Sequence, residues 1–199
     1  MLDRLLTSIK EYAPDIKIDV LDDSDTNIGI SAGRNQLVAR CKTKYCMILD
    51  DDCIFTPKTN LEKAIKILEE RDLDLLEIQV PGLNYRGHFK IKNDEIEAVQ
   101  ANEGEYFDFI TNIFVAKTDV LRKYKWDDRM KIGEHTSYFF THRGKMKIGT
   151  TDQVTIRHEH VSPPGYNIYR SRGEDYVKIF MRENGIKRLH TVTGEYIVV

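Results

Sequence analysis

The chain has 199 residues, 41% hydrophobic and 31% charged, with 30 basic against 32 acidic side chains and a formal net charge of -2. That balance gives no ground for a nucleic-acid partner, and the length suits one domain with a sizeable core. No apolar run approaches the roughly 18 to 20 residues of a membrane span, and the amino terminus lacks a signal peptide's layout, so a cytoplasmic protein is expected, with peripheral membrane contact left open. Cys41, Cys46 and Cys53 form no C-x-x-C pair and read as reduced core thiols.

In chain order, Leu2, Leu5, Leu6 and Ile9 recur at helical spacing until Pro14, which predicts an amphipathic helix from the start of the chain. Ile16, Ile18 and Val20 alternate like a strand and stop at "LDDSD", a turn-forming stretch. "NIGISAGRNQLVAR" offers two glycines, Ser31 as a cap and a second helix. Tyr45 to Leu49 predicts a second strand, Thr59 or Asn60 caps a third helix, and "DLLEIQV" predicts a third strand. That helix–strand rhythm implies an α/β domain with a mostly parallel sheet. From residue 86 the pattern changes: a hairpin around Asn93-Asp94, a long strand in "YFDFITNIFVA", a helix near 134 to 143, strands at 145 to 150 and 153 to 158, and a helix near 173 to 184. One domain over 1–199 is expected, with a nucleotide-binding half at 1–85 and a smaller, antiparallel acceptor or catalytic half at 86–199.

The chemistry-bearing stretches lie at strand ends, where open α/β sheets collect ligands. Asp50, Asp51 and Asp52 follow an apolar strand directly. In extended backbone Asp50 and Asp52 face one way, and two close carboxylates invite a hard cation such as Mn²⁺ or Mg²⁺; the plainer reading is an acidic turn. "TIRHEH" offers His158 or His160 as a further ligand. Glu134 opens an apolar-aromatic helix after Gly133, either as a charge suited to the helix dipole or as a general base. Arg34 is a phosphate fork or a surface charge.

Taken together, "NIGISAGRNQLVARCKTKYCMILDDDCIF", "DFITNIFVAKTDVLRKYKWDDRMKIGEHTSYFF" and "TIRHEH", in that order, resemble the GT-A fold glycosyltransferases of the family-2-like group. Within that group the resemblance is greatest to the β-1,4-N-acetylgalactosaminyltransferases of ganglioside synthesis. The resemblance implies that Asp23 contacts the nucleotide base and that Asp50 to Asp52 form the D-x-D element, with Asp50 toward ribose and metal, Asp52 a direct metal ligand and Asp51 sharing either role. It implies that His158 completes the metal site, that Glu134 is the base of an inverting transfer, and that Trp126, Thr111, Asn112 and His135 line the sugar or acceptor pocket. The donor implied is a UDP-sugar and the acceptor a glycan, glycolipid or glycoprotein hydroxyl. The resembled pattern opens with a buried strand before the first helix, whereas this sequence opens at that helix: either that strand lies upstream of Met1, or the sheet does without it.

Two other readings compete. "CMILDDDCIF" also suits a haloacid-dehalogenase-type phosphohydrolase with a nucleophilic first aspartate, although no later G-D-x-x-x-D pair is present. The absent strand suits a non-catalytic nucleotide-sugar-binding remnant.

Overall fold

The computed structural model describes residues 1–159 and 171–199. In chain order the elements are α1 (Leu2–Tyr12), α2 (Ile30–Arg40), β1 (Tyr45–Ile48), β2 (Cys53–Ile54), α3 (Leu61–Glu70), β3 (Leu75–Gln79), β4 (Gly87–Lys92), β5 (Glu95–Gln100) and β6 (Phe114–Lys117). They continue with α4 (Thr118–Lys123), α5 (Glu134–Thr141), β7 (Ile148–Thr155), β8 (Arg157–His158), α6 (Gly173–Glu183), β9 (Arg188–His190) and β10 (Tyr196–Val198).

The central sheet has the order β1-β6-β3-β7. Its two-residue side-chain period splits the core in two. Leu75, Phe114, Ala116 and Ile148 face one apolar cluster, which continues through Trp126, Tyr138 and Phe139. Leu76, Ile78, Val115 and Val154 face the other, which is covered by Leu5 and Ile9 of α1 and by Ala64, Ile67 and Leu68 of α3. Helix α1 is tied to the chain just after β2 by Ser8, whose Oγ accepts the Phe55 N–H at 2.9 Å. Helix α3 begins where the Asn60 side chain accepts the Lys63 N–H at 2.8 Å, the expected cap.

A second sheet, β10-β9-β5-β4, contains the expected hairpin, with Asn93 in the left-handed region between β4 and β5. Strands β9 and β10 and the one-and-a-half-turn helix α4 are too short to show in the hydrophobic period. Strand β8 pairs antiparallel with β2, which sets His158 opposite Cys53, immediately after the Asp50 to Asp52 stretch.

Several expectations need correcting. The central sheet is mixed rather than mostly parallel: β3 and β7 run parallel, but β6 lies antiparallel between β1 and β3. No strand forms at Ile16 to Val20, where Ile18 is 48% and Val20 44% exposed. Alternating residues make a strand only beside a partner, and among the described residues β1 is paired along one edge alone. The long strand expected at 106–116 shrinks to Phe114–Lys117, because the backbone before it leaves the ladder. There Phe109 bridges Gly87, and the Thr111 N–H turns to the Glu77 carboxylate. The strands expected at 145–150 and 153–158 are one bulged strand, β7, followed by the short β8. Gly29, not Ser31, is the N-cap of α2, and Ser31 is wholly buried one residue inside it. Cys53 alone of the three thiols is fully buried, and burial pushes it up to about 12; Cys41 and Cys46 are half-buried.

Candidate active site

Two glycines decide where the site forms. Gly29 has φ of 90°, and a Cβ there would stand 2.4 Å from the Cα of Lys131. Only a glycine lets the chain before α5 lie directly against the start of α2, where the Ile30 N–H donates to the Lys131 carbonyl. Gly133, with φ of 75°, turns the chain into α5 against the backbone of Gly173. Asn35 fixes the same junction from the other side, donating to the Trp126 carbonyl at 2.8 Å and accepting the Trp126 N–H at 3.1 Å.

The result is a buried ionic bridge. Arg34, 4% exposed, donates from Nη1 to Glu134 Oε1 at 2.5 Å and from Nη2 to Asp50 Oδ1 at 3.1 Å. Burial works against its charge, but the Glu134 and Asp50 carboxylates outweigh that and raise its pKa, so the guanidinium stays ionised. Its carbon lies 5.8 Å from the centre of the Trp126 ring, which stacks on Tyr138 at 4.3 Å. Asn112 Nδ2 donates to the same Glu134 oxygen at 3.0 Å. Both side-chain hydrogen bonds to Glu134 among the described residues therefore fall on Oε1, and Oε2 receives neither.

The three aspartates part company. The backbone is not extended through them: the Cys53 N–H donates to the Asp50 carbonyl and Asp51 and Asp52 form a turn. Asp50 goes to Arg34, Asp51 is exposed, and Asp52 Oδ2 lies 3.0 Å from His158 Nε2. Burial raises the Asp52 pKa; His158 pulls it back, while Asp50 and Asp51 push it up further. Asp52 Oδ1 is buried with no hydrogen-bond partner. An orphaned carboxylate oxygen beside an imidazole fits a divalent cation that takes its other ligands from phosphate and water. Among the described residues no three His, Cys, Asp or Glu side chains converge closely enough to hold an ion by themselves. His160, the alternative ligand, lies outside the described residues.

Asp23 stands at the entrance to α2, where its Oδ2 accepts the Gly29 N–H at 3.0 Å. Thr111 is buried, with its hydroxyl unpartnered, as are Asn112 Oδ1 and Trp126 Nε1. His135 faces the aromatic core instead: its Nε2 lies 2.5 Å from the Ile110 carbonyl, its ring packs on Tyr85 and Phe139, and burial lowers its pKa. A groove of about 510 Å³ runs between α1 and the segment from Ile54 to Pro57, lined by Arg4, Glu11, Tyr12 and Arg157. It touches none of the residues bridged by Arg34, so the geometry of the ionic groups, rather than the size of the hollow, locates the site.

Sequence reasoning missed Asn35 and the buried pair Glu77–Arg86, whose Nη1 to Oε2 distance is 2.7 Å. A carboxylate inside the apolar run "DLLEIQV", with an arginine nine residues later, was the available signal.

This fold is the GT-A-like arrangement. Staphylococcus aureus TarS 1–349 in complex with UDP superimposes with a TM-score of 0.54 at 16% identity, over 90% of this chain and 52% of that one. A second structure, of S. aureus TarS, gives 0.52 at 15% identity, over 89% of this chain and 32% of that one. The sequence pattern of Glycosyl transferase family 2 matches residues 1–170, and the chain belongs to that family. It is 28% identical over 190 residues to beta-1,4 N-acetylgalactosaminyltransferase 2 of Mus musculus, covering 80% of this chain and 37% of that protein. To beta-1,4 N-acetylgalactosaminyltransferase 1 of Homo sapiens it is 27% identical over 189 residues, covering 77% of this chain and 36% of that protein. The chain thus spans a little over a third of the length of these relatives. Among the described residues no helix is long and apolar enough to cross a membrane.

Proposed function

We propose that the protein is an inverting glycosyltransferase that moves a sugar from a UDP-linked donor to an acceptor hydroxyl on a glycan, glycolipid or glycoprotein. The observation that carries this reading is the Arg34 bridge, which joins a buried carboxylate at the start of α5 to the acidic end of β1, with no side chain among the described residues donating to Glu134 Oε2. Family membership displaces the phosphohydrolase reading. The names of the relatives favour N-acetylgalactosamine as the sugar.

In the proposed reaction Glu134 Oε2 takes the proton of the acceptor hydroxyl as that oxygen attacks the anomeric carbon. Attack comes from the face opposite the diphosphate, the bond from the anomeric carbon to the diphosphate oxygen breaks, and its electron pair leaves with UDP. Arg34 holds the Glu134 carboxylate in place before the acceptor arrives, and its charge faces the end of β1 where the diphosphate is expected. Asp52 and His158, with Asp50 nearby, would hold Mn²⁺ or Mg²⁺, which when bound supplies positive charge to the leaving diphosphate. Asp23 meets the nucleotide base, Asp51 the donor side of the turn, and Trp126, Thr111 and Asn112 the sugar or acceptor.

UDP with Mn²⁺ tests the donor half of the reading. At a hundredfold excess over its dissociation constant, UDP stabilises the fold by about 2.7 kcal/mol, a Tm rise of roughly 5–11 °C for a chain of this size. The rise is expected to shrink on adding EDTA and in Asp52→Asn. No rise with UDP under any metal condition would contradict the donor assignment.

A further inference from the structure

We infer that Glu77 is a positioning residue for Glu134, acting through the Thr111-Asn112 segment; the inference rests on the role proposed for Glu134. Glu77 sits within β3, 1% exposed, between Leu76 and Ile78, where an apolar side chain would cost nothing in desolvation. A buried ion pair is poor evidence of stabilisation, because well-packed apolar residues of similar volume do as well or better. Its hydrogen bonds suggest another use.

Both carboxylate oxygens are committed. Oε2 accepts from Arg86 Nη1 at 2.7 Å and from Thr150 Oγ1 at 2.9 Å, while Oε1 accepts the backbone N–H of Thr111 at 3.1 Å. The β3–β6 register ends at the pair Glu77 and Phe114. Beyond it the backbone of residues 111–112 has left the sheet, and the Glu77 carboxylate takes the Thr111 amide. The same segment is pinned upstream by Gly87, the neighbour of Arg86, whose carbonyl accepts the Asp108 and Phe109 N–H groups. The next side chain along, Asn112, donates to Glu134 Oε1 at 3.0 Å. A continuous path thus runs from the Arg86-Glu77 pair through one peptide unit to the oxygen of Glu134 that also meets Arg34. With Arg34 it holds Oε1, and among the described residues no side chain donates to Oε2.

Glu77→Gln disturbs this path with little change in shape. The charge-assisted contact is the stronger one, so the amide oxygen goes to Arg86 and the amide nitrogen is turned toward the Thr111 N–H, donor against donor. The expected result is a loss of kcat on the order of tenfold with the donor KM unchanged, as for a small misplacement of a reacting group. Because the effect travels through Asn112, adding Glu77→Gln to Asn112→Ala is expected to cost nothing further. An additive loss in that double variant, or an unchanged kcat with only a lowered Tm, would overturn the inference. The side-chain amide resonance of Asn112, read by ¹⁵N NMR, is expected to shift both in Glu77→Gln and in Glu134→Gln. This readout needs no turnover: if no donor is transferred the proposed function fails, and an unmoved Asn112 resonance overturns the positioning path independently. If Glu77→Gln does not fold, Glu77→Leu/Arg86→Met leaves no unpaired charge, deprives Thr111 of the same acceptor and carries the same readouts.

Discussion

Replacing Glu134 by Gln is expected to abolish sugar transfer while leaving UDP-sugar binding and the fold intact. The amide oxygen of Gln can still accept from Arg34 and Asn112, the two donors that meet Glu134 Oε1. Arg34 also keeps Asp50 as a charged partner. The amide nitrogen would then stand where Oε2 stood, and its lone pair, delocalised into the carbonyl, cannot take the proton of an incoming hydroxyl. A positioned general base contributes roughly 10² to 10⁴ in rate, so turnover should fall by that factor with the donor KM close to that of the unmodified protein. Steady-state kinetics with a saturating acceptor separates the two parameters. Unchanged turnover would leave Glu134 only as a favourable charge at the start of α5 and remove it from the chemistry.

Arg34→Met is expected to act chiefly on stability. Met keeps the length of the side chain and its packing near Trp126, but it leaves the buried Glu134 carboxylate with Asn112 as its one remaining side-chain donor among the described residues. Breaking a buried ion pair from one side costs about 3 to 5 kcal/mol, because the partner's charge is left without compensation. Adding Glu134→Gln to Arg34→Met removes that stranded charge, and much of the lost stability should return. Urea unfolding of the three variants measures both steps. Equal stability of Arg34→Met and the unmodified protein would mean that Arg34 and Glu134 do not form a buried pair. The two replacements share a partner, so their effects are not expected to add.

How far this arrangement could be read in advance depended on whether each feature is local. The β4–β5 hairpin was legible because Asn93-Asp94 carries its own turn chemistry, and α3 because Asn60 and the apolar stripe after it are contiguous. The strand expected at Ile16 to Val20 failed because pairing is decided by a neighbour distant in sequence, and the alternation of three residues does not supply one. The insertion of β6 between β1 and β3 had no local signal either, which is why the sheet looked mostly parallel.

The same division holds at the site. Glu134 and the aspartates stood out as acids beside apolar runs, and the β2–β8 pairing brings His158 beside Asp52. That Asp50 turns from Asp52 to Arg34 could not be seen, because it depends on α2 and α5 meeting at Gly29 and Lys131. His135 was grouped with the pocket through its neighbour Glu134, but successive helical residues point about 100° apart, and this one is directed into the aromatic core. Glu77 was hidden by its company: inside an apolar strand it passed as part of the run, and its partners Arg86, Thr111 and Thr150 come from three separate segments.

The most direct test of the central claim is the configuration of the product. Incubated with an α-linked UDP-N-acetylhexosamine, Mn²⁺ and a hydroxyl acceptor, the protein is expected to release UDP and form a β-linked product, read from the anomeric proton coupling by NMR. An α-linked product would mean that the acceptor does not attack from the face opposite the diphosphate, and it would contradict the account.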